Sequence, residues 1–406
     1  MMKLFLCRPA MVSSLGDSID VHLDILLNGR CSPIATTNSP YLAYGIAGKD
    51  KMLGEVRLNL REFPCDLPQE YQSRNNQLLW HALEQIEPQI EQVITQFGPK
   101  RVAVVMGTST TGVDENIPVF KYAAEHQDWS GKPFKQQQQY FSAPADFIIY
   151  QYKLQNMGYG ISTACTSGAR ALISAARLLK SNLCDAVICG GVDTLSPLTI
   201  SGFSALDVLS MQRTNPLSAN RNGINIGEGA AVFIMTREHL NDNGIRLLGY
   251  GASSDAYHMS SPHPEGLGAI LAFRNALKSA ALSPEQVGWI NLHGTGTIHN
   301  DQMESLAVST VFGNQVPCTT TKPYTGHTLG AAGALEAAIL WATISREYNS
   351  QGILPPQLWD CIRDSNLPNI TITDTNSCWS DSRRIGASSS FAFGGNNTVL
   401  ILGEDE

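Results

Sequence analysis

Short apolar stretches rich in valine, isoleucine and alanine alternate along this chain with longer segments whose apolar residues recur every three to four positions. The stretches at 101–106, 185–189, 230–235, 289–292 and 398–402 each have the length of a buried strand, and several run into glycine, which suits entry into a tight turn. Ser167–Lys180 carries Ala169, Leu172, Ala175, Ala176 and Leu179 at helical spacing. The segments 266–281 and 330–344 predict two more helices, the second rich in alanine and apolar on most faces. This alternation predicts an α/β architecture, with sheets covered by helices. A polar segment at 238–243 and then Gly244 give way to a new strand near 246–251. The chain is expected to divide there into two unequal halves of similar style, 1–248 and 249–406. No short repeat period relates them. The glutamine run at 136–139 reads as a short helix or loop.

A length of 406 residues fits two such units. Lysine and arginine total 28 against 36 aspartates and glutamates, a net charge of −8. That balance excludes a general phosphate-backbone binder, so no nucleic-acid partner is expected. With 43% hydrophobic and 16% charged residues the chain builds a core. No apolar stretch reaches the roughly 18 residues of a membrane span, and the apolar run near the start is too short for a signal peptide. The nine cysteines, at 7, 31, 65, 165, 184, 189, 318, 361 and 378, are scattered without C-x-x-C pairs. This usage fits a reducing cytoplasm better than a disulfide scaffold or a zinc site.

Four segments carry candidate chemistry. In Thr163-Ala164-Cys165-Thr166-Ser167-Gly168 a cysteine stands where a helix begins, and the positive end of the helix dipole favours its thiolate. The same cysteine reads equally as a buried structural thiol. In His293-Gly294-Thr295-Gly296-Thr297 a histidine ends a strand and enters a glycine-rich turn, with Asp301 and Glu304 on one helical face downstream to order it. Alone, this is also a capped turn with a satisfied histidine. In Lys322-Pro323-Tyr324-Thr325-Gly326-His327 a lysine and a histidine lie five residues apart, ahead of a helix whose one carboxylate is Glu336. A buried glutamate needs a partner, so Glu336 is expected to form an ion pair that holds the Lys322–His327 loop. In Phe391-Ala392-Phe393-Gly394-Gly395 the paired glycines leave backbone amides free to form an oxyanion hole, although an ordinary core loop has the same composition.

Together, in this order and spacing, the four segments resemble the elongating β-ketoacyl-acyl-carrier-protein synthases of the thiolase superfamily. The likeness runs over nearly the whole chain and includes Pro216, Arg221-Asn222-Gly223 and Gly227-Glu228-Gly229. His327 fills the second-histidine position, which separates this branch from the initiating synthases, and no second cysteine stands in the C-terminal turn as a thiolase requires. The resemblance implies a thiolase-like fold of two similar βαβαβαββ halves in a five-layered αβαβα arrangement, working as a dimer. It implies an acyltransferase in which Cys165 takes an acyl chain from the phosphopantetheine arm of an acyl carrier protein and condenses it with malonyl-carrier protein after decarboxylation. His293 and His327 would serve the enolate, Lys322 would set the field around them, the amides of Cys165 and Phe393 would hold the oxyanion, and Phe391 with Phe393 would gate the acyl pocket. No bound cofactor or metal is implied.

The chain also departs from the pattern. Ala392 replaces a glycine between the phenylalanines, and Asn222 and Asn225 put the packing of their loop in question. Thr110 stands where a large aliphatic residue limits chain length, which hints at a roomier pocket for polyketide or aryl-polyene-like chains, with fatty-acid elongation as the alternative. Carrier proteins are usually acidic, so Arg74, Lys132, Lys135 and Arg213 are candidates for a basic docking rim. Two assemblies are compatible with the sequence: a homodimer, or the catalytic half of a heterodimer with a chain-length-factor-like subunit. A non-catalytic partner would lack the cysteine. A serine hydrolase is excluded by the absence of a G-x-S-x-G elbow.

Overall fold

A computed structural model describes residues 2–29, 34, 39–44, 52–240, 244–380 and 382–405. Cys31 and residues 241–243 of the polar segment lie outside the described residues. The strands are β1 (Phe5–Leu6), β2 (Ala10–Val12), β3 (Val102–Gly107), β4 (Gly158–Ile161), β5 (Ala186–Asp193) and β6 (Gly229–Thr236), then β7 (Ile245–Ser254), β8 (Trp289–Asn291), β9 (Pro317–Thr319), β10 (Thr371–Ile372), β11 (Ile385–Phe391) and β12 (Asn396–Glu404). The five strands predicted from apolar runs are β3, β5, β6, β8 and β12. Their ends move by up to four residues, because pairing with a neighbour, not hydrophobicity, decides where a strand stops.

Duplication is visible in the strand order. The first half runs β2-β6-β5-β3-β4 and the second β7-β12-β11-β8-β9, with β10 added at the edge. In each half the first two pairings of that order are antiparallel and the next two parallel. β1 pairs with both β6 and β7 and joins the sheets. The division expected at 248/249 falls inside β7, the first strand of the second half.

The helices Ser167–Lys180 and Ala332–Ile344 lie between the two sheets and pack on strands of both. All thirteen residues of Ala332–Ile344 are buried, which is why its sequence shows no polar face. Arg74–Glu84, Glu87–Phe97 and Ala143–Tyr152 cover the first sheet from outside, and Leu267–Ala280 with Ile298–Phe312 covers the second. The result is the five-layered thiolase-like arrangement. No helix of the described residues is long and apolar enough to cross a membrane. The glutamine run forms a 3₁₀ turn, Gln137–Gln139, in which buried Gln138 donates to the carbonyls of Gln69 and Gln72 at 2.7 and 2.9 Å.

The two central helices meet at small residues near their N-termini. A Cβ on Gly168 would stand 2.8 Å from both Ala334 Cβ and Ala334 N, and one on Gly333 would stand 2.8 Å from Ala169 Cβ and 2.9 Å from Ala169 N. Because these neighbours are backbone and Cβ atoms of a packed core, neither side can yield without moving a helix. Gly333→Ala is therefore expected to destabilise the fold by about 1–3 kcal/mol. A fall in Tm would register this, and an unchanged Tm would show that the crossing has slack.

Candidate active site

Each central helix is entered through a tight turn with a left-handed residue four positions before its crossing glycine: Ala164 at φ 51° before Gly168, and Leu329 at φ 50° before Gly333. Such a backbone is strained for a residue with a Cβ and is held by its surroundings. In the first turn Thr163 N–H bonds Ser167 Oγ at 2.9 Å, and the Ser167 hydroxyl donates to Ala164 O at 2.6 Å. Cys165 follows, just ahead of the helix. In the second half His327 precedes the equivalent turn, its amide bonded to Asn225 O at 2.7 Å. Because the helices cross close to these ends, Cys165 Sγ lies 3.0 Å from His327 Nε2.

His293, two residues past the end of β8, completes the cluster, its ring centroid 5.2 Å from that of His327 at 85°. Glu304 fixes its backbone: Oε1 accepts from His293 N–H at 2.8 Å and from the Ser389 hydroxyl at 2.7 Å, and Oε2 accepts from Gly294 N–H at 2.7 Å. Asp301, one turn earlier on the same helix, accepts from Gly296 N–H at 3.1 Å and Leu217 N–H at 2.8 Å. Buried Lys322 donates to Glu336, and its Nζ lies 3.3 Å from His293 Nδ1. An ammonium has donors and no acceptor, so Nδ1 must accept and the His293 proton sits on Nε2.

The electrostatics follow from burial. Burial and then the positive charge of Lys322 hold both His293 and His327 well below 6.5, so both rings are neutral near neutral pH. Burial pushes the Cys165 thiol up to about 12, against the pull of Lys322. This corrects the expectation of a helix-stabilised thiolate: at 8% exposure, loss of water outweighs the helix terminus, and the group rests as a thiol beside a neutral imidazole. Burial likewise raises Glu304 to about 7, and raises Glu336 against the pull of Lys322. The donor atoms of Cys165, His293 and His327 lie within 4.8 Å of one another, close enough for a metal ion. The Lys322 ammonium argues against one, because it leaves His293 no free lone pair.

These residues form the floor of a cleft with about 720 Å³ of empty space, part of it open to solvent. Phe391 is buried edge-on to His293, at 6.1 Å and 75°, while Phe393 stands at the mouth stacked on Phe203 at 5.7 Å. Around Phe393, the amides of Ala392, Gly394 and Gly395 bond the carbonyls of Asn396, Met259 and Ala392. Thr295 and Thr297 line the wall, with their hydroxyls 3.0 Å apart.

Two family profiles match this chain, "Beta-ketoacyl synthase, N-terminal domain" over residues 71–240 and "Beta-ketoacyl synthase, C-terminal domain" over 245–358. A 3-oxoacyl-[acyl-carrier-protein] synthase 2 of Vibrio harveyi is 31% identical over 329 residues, covering 76% of this chain and 77% of that protein. The chain belongs to the β-ketoacyl synthase family. The synthase of the same name from Coxiella burnetii is 35% identical over 275 residues, 63% of this chain, and the match spans 64% of that relative's length. A ketosynthase of Xenorhabdus doucetiae, solved in complex with its chain length factor, is 40% identical, with a TM-score of 0.90 over 100% of this chain and 98% of that one.

Several positions expected in a β-ketoacyl synthase site lie elsewhere. Thr110 does not line the cleft: its hydroxyl and amide both donate to Asp193, at 2.8 and 2.9 Å. Arg74 is tied to buried Glu228 at 2.5 Å and so cannot serve as a free rim charge. Lys135 faces Glu115 at 3.9 Å, and exposed Lys132 and half-buried Arg213 are not among the lining residues. The loop around Asn222 and Asn225 is well bonded. Asn222 Oδ1 accepts from the Ser210 hydroxyl, and buried Asn225 accepts from Thr214 N–H, both at 2.6 Å. The sequence reading missed Asp193. It accepts from the amides of Ser109, Thr110 and Gly330 and from the hydroxyls of Thr108, Ser109 and Thr110, which pins the turn after β3 to the turn before Ala332–Ile344. Its one signal is a lone acid closing an apolar run.

Lys322→Ala would leave the Glu336 carboxyl buried without its cation, an expected loss of about 3–5 kcal/mol. Adding Glu336→Gln should recover part of it. Thermal melts of the two variants check this, and a double variant no more stable than the single would show that the pair is not coupled.

Proposed function

We propose that this chain is a 3-oxoacyl-[acyl-carrier-protein] synthase that joins an acyl group held on Cys165 to a malonyl-derived unit, both delivered on the phosphopantetheine arm of an acyl carrier protein. The observation that carries this reading is the Cys165 thiol 3.0 Å from His327 Nε2, on the floor of a cleft that His293 also lines. A neutral thiol is a poor nucleophile, and a neutral imidazole at hydrogen-bonding distance can take its proton as sulfur attacks. The Sγ–acyl bond forms, the bond from the acyl carbon to the carrier's sulfur breaks, and the proton passes to the departing thiolate. In the second half-reaction malonyl-carrier protein loses carbon dioxide. The enolate oxygen meets the proton on His293 Nε2, with Lys322 holding that tautomer in place. The carbanion then attacks the acyl-Cys165 carbonyl, the amides of Cys165 and Phe393 stabilise the oxyanion, and collapse breaks the Sγ–acyl bond and releases 3-oxoacyl-carrier protein. The expelled Cys165 thiolate takes a proton from water by way of His327 and returns to the thiol. Phe393, exposed and stacked on Phe203, would act as the gate. No bound cofactor enters this scheme. A cytoplasmic setting fits a reactive thiol, and Cys165 is a free cysteine.

A second reading concerns assembly. The Xenorhabdus doucetiae ketosynthase, 40% identical to this chain, was solved with a chain length factor, which favours this chain as the catalytic half of a heterodimer over a homodimer. Polyketide-type chains then become the leading substrate class, with fatty-acid elongation the alternative.

Intact mass after incubation with acyl-carrier proteins of several chain types tests the proposal. A thioester adduct on the wild type and none on Cys165→Ala is expected, and the preferred chain chooses the substrate class. An adduct that needs a co-expressed chain length factor would establish the heterodimer, and none under either condition, from folded protein, would overturn the synthase reading. Because both histidines are depressed below 6.5, they stay neutral as pH falls, and single-turnover acylation should be flat from about pH 8 to about pH 6. A drop centred near 6.5 would show a histidine titrating in the ordinary range.

A further inference from the structure

From the surface around the cleft, we infer that the carrier protein seats on an apolar collar at the mouth, made by Leu206, Met211, Tyr257, Met259 and Ile298, and not on a basic rim. The inference rests on the proposed function, since a tethered arm that reaches Cys165 through this cleft obliges the body of its carrier to cover the opening. The five side chains are 50–79% exposed, Met259 the most. Each belongs to a segment that supplies cleft-lining residues. Ile298 lies between Thr297 and His299, Met259 precedes Ser260, and Leu206 and Met211 flank Val208. The Met259 carbonyl accepts from Gly394 N–H at 2.8 Å, which ties its loop to the Phe393 turn, and the Tyr257 ring packs on His263 at 5.0 Å. A single exposed methionine is unremarkable, but several large apolar side chains around one opening mark a contact surface. Methionine also adapts its shape to a partner at little cost.

Charge excludes the electrostatic alternative. In the bordering segments 203–213, 255–265 and 297–300 stand three carboxylates, Asp207, Asp255 and Glu265, against one arginine, Arg213. Of the other basic candidates, Arg74 is bonded to Glu228, Lys135 faces Glu115, and Lys132 belongs to no cleft-lining segment. An acidic carrier approaching this mouth gains nothing from steering, so burial of apolar area must supply the docking energy.

Kinetics with two donors test this: an acyl-carrier protein, and the same acyl group on a small thiol such as N-acetylcysteamine, which lacks the carrier body. Met211→Glu and Met259→Glu should each raise KM for the carrier-borne substrate about tenfold and leave Cys165 acylation by the small thioester at the wild-type rate. Lys132→Glu should leave the carrier KM unchanged, and raising salt from about 50 to about 300 mM should change it by less than about twofold. Methionine variants with wild-type carrier KM, or a KM that climbs with salt and with Lys132→Glu, would overturn the collar. Failure of the parent reading looks different, because wild-type protein would then take acyl groups from neither donor.

Discussion

Two glycines set the distance on which the site depends. Gly168 and Gly333 let the central helices approach until each Cα faces backbone atoms of the other, with no room for a methyl group between them. Cys165 and His327 belong to opposite halves of the chain and lie 162 residues apart, yet both stand just before these helices begin. The approach of the helices therefore becomes the approach of the two side chains. The sheets on either side hold the helices in place, and Asp193 locks the entry to the second helix onto the end of β3.

Burial then does the chemical tuning. Cys165, His293, His327, Glu304 and Glu336 are nearly sealed from water, so each group is pushed toward its neutral form. Lys322, buried among them, organises the rest. Its contact with Glu336 keeps a cation in the core, and that cation depresses both histidines and fixes the proton of one. The expected role of Glu336, holding the Lys322–His327 loop, and the electrostatics of the imidazoles are thus one arrangement seen from two sides.

How much of this could be read beforehand depended on whether a feature is local. The helix Ser167–Lys180 and the cores of β3, β5 and β6 announce themselves through spacing that neighbouring residues set. The four reactive segments were legible because each keeps its residue types within about ten positions. Pairing at a distance was not legible. Thr110 looked like a pocket residue because nothing near it in sequence reveals that Asp193, far along the chain, claims its hydroxyl. Arg74 looked like a free surface charge for the same reason, with Glu228 as its hidden partner. The thiolate expectation failed because a helix terminus can be read from sequence, whereas the removal of water around Cys165 cannot. The duplication, expected from the family resemblance, had no repeat in the residues themselves to carry it, because the halves share strand order and not side chains. Among the described residues three α-helices, Ile19–Leu27, Arg74–Glu84 and Glu87–Phe97, lie between β2 and β3, where the second half has the single α-helix Leu267–Ala280 between β7 and β8.

The paired turns carry one more consequence. Counting back from the crossing glycines, the position of Cys165 in the first half is that of Gly330 in the second. A side chain at Gly330 would meet an Asp193 carboxylate oxygen at 2.6 Å and the Ser109 amide at 2.8 Å, so the second turn has no space for a nucleophile. A backbone that is twofold in its topology is thereby made one-sided in its chemistry, with a sulfur at one of the paired turns and bare backbone at the other. Whatever Cys165 carries has no second seat in the other half to move to.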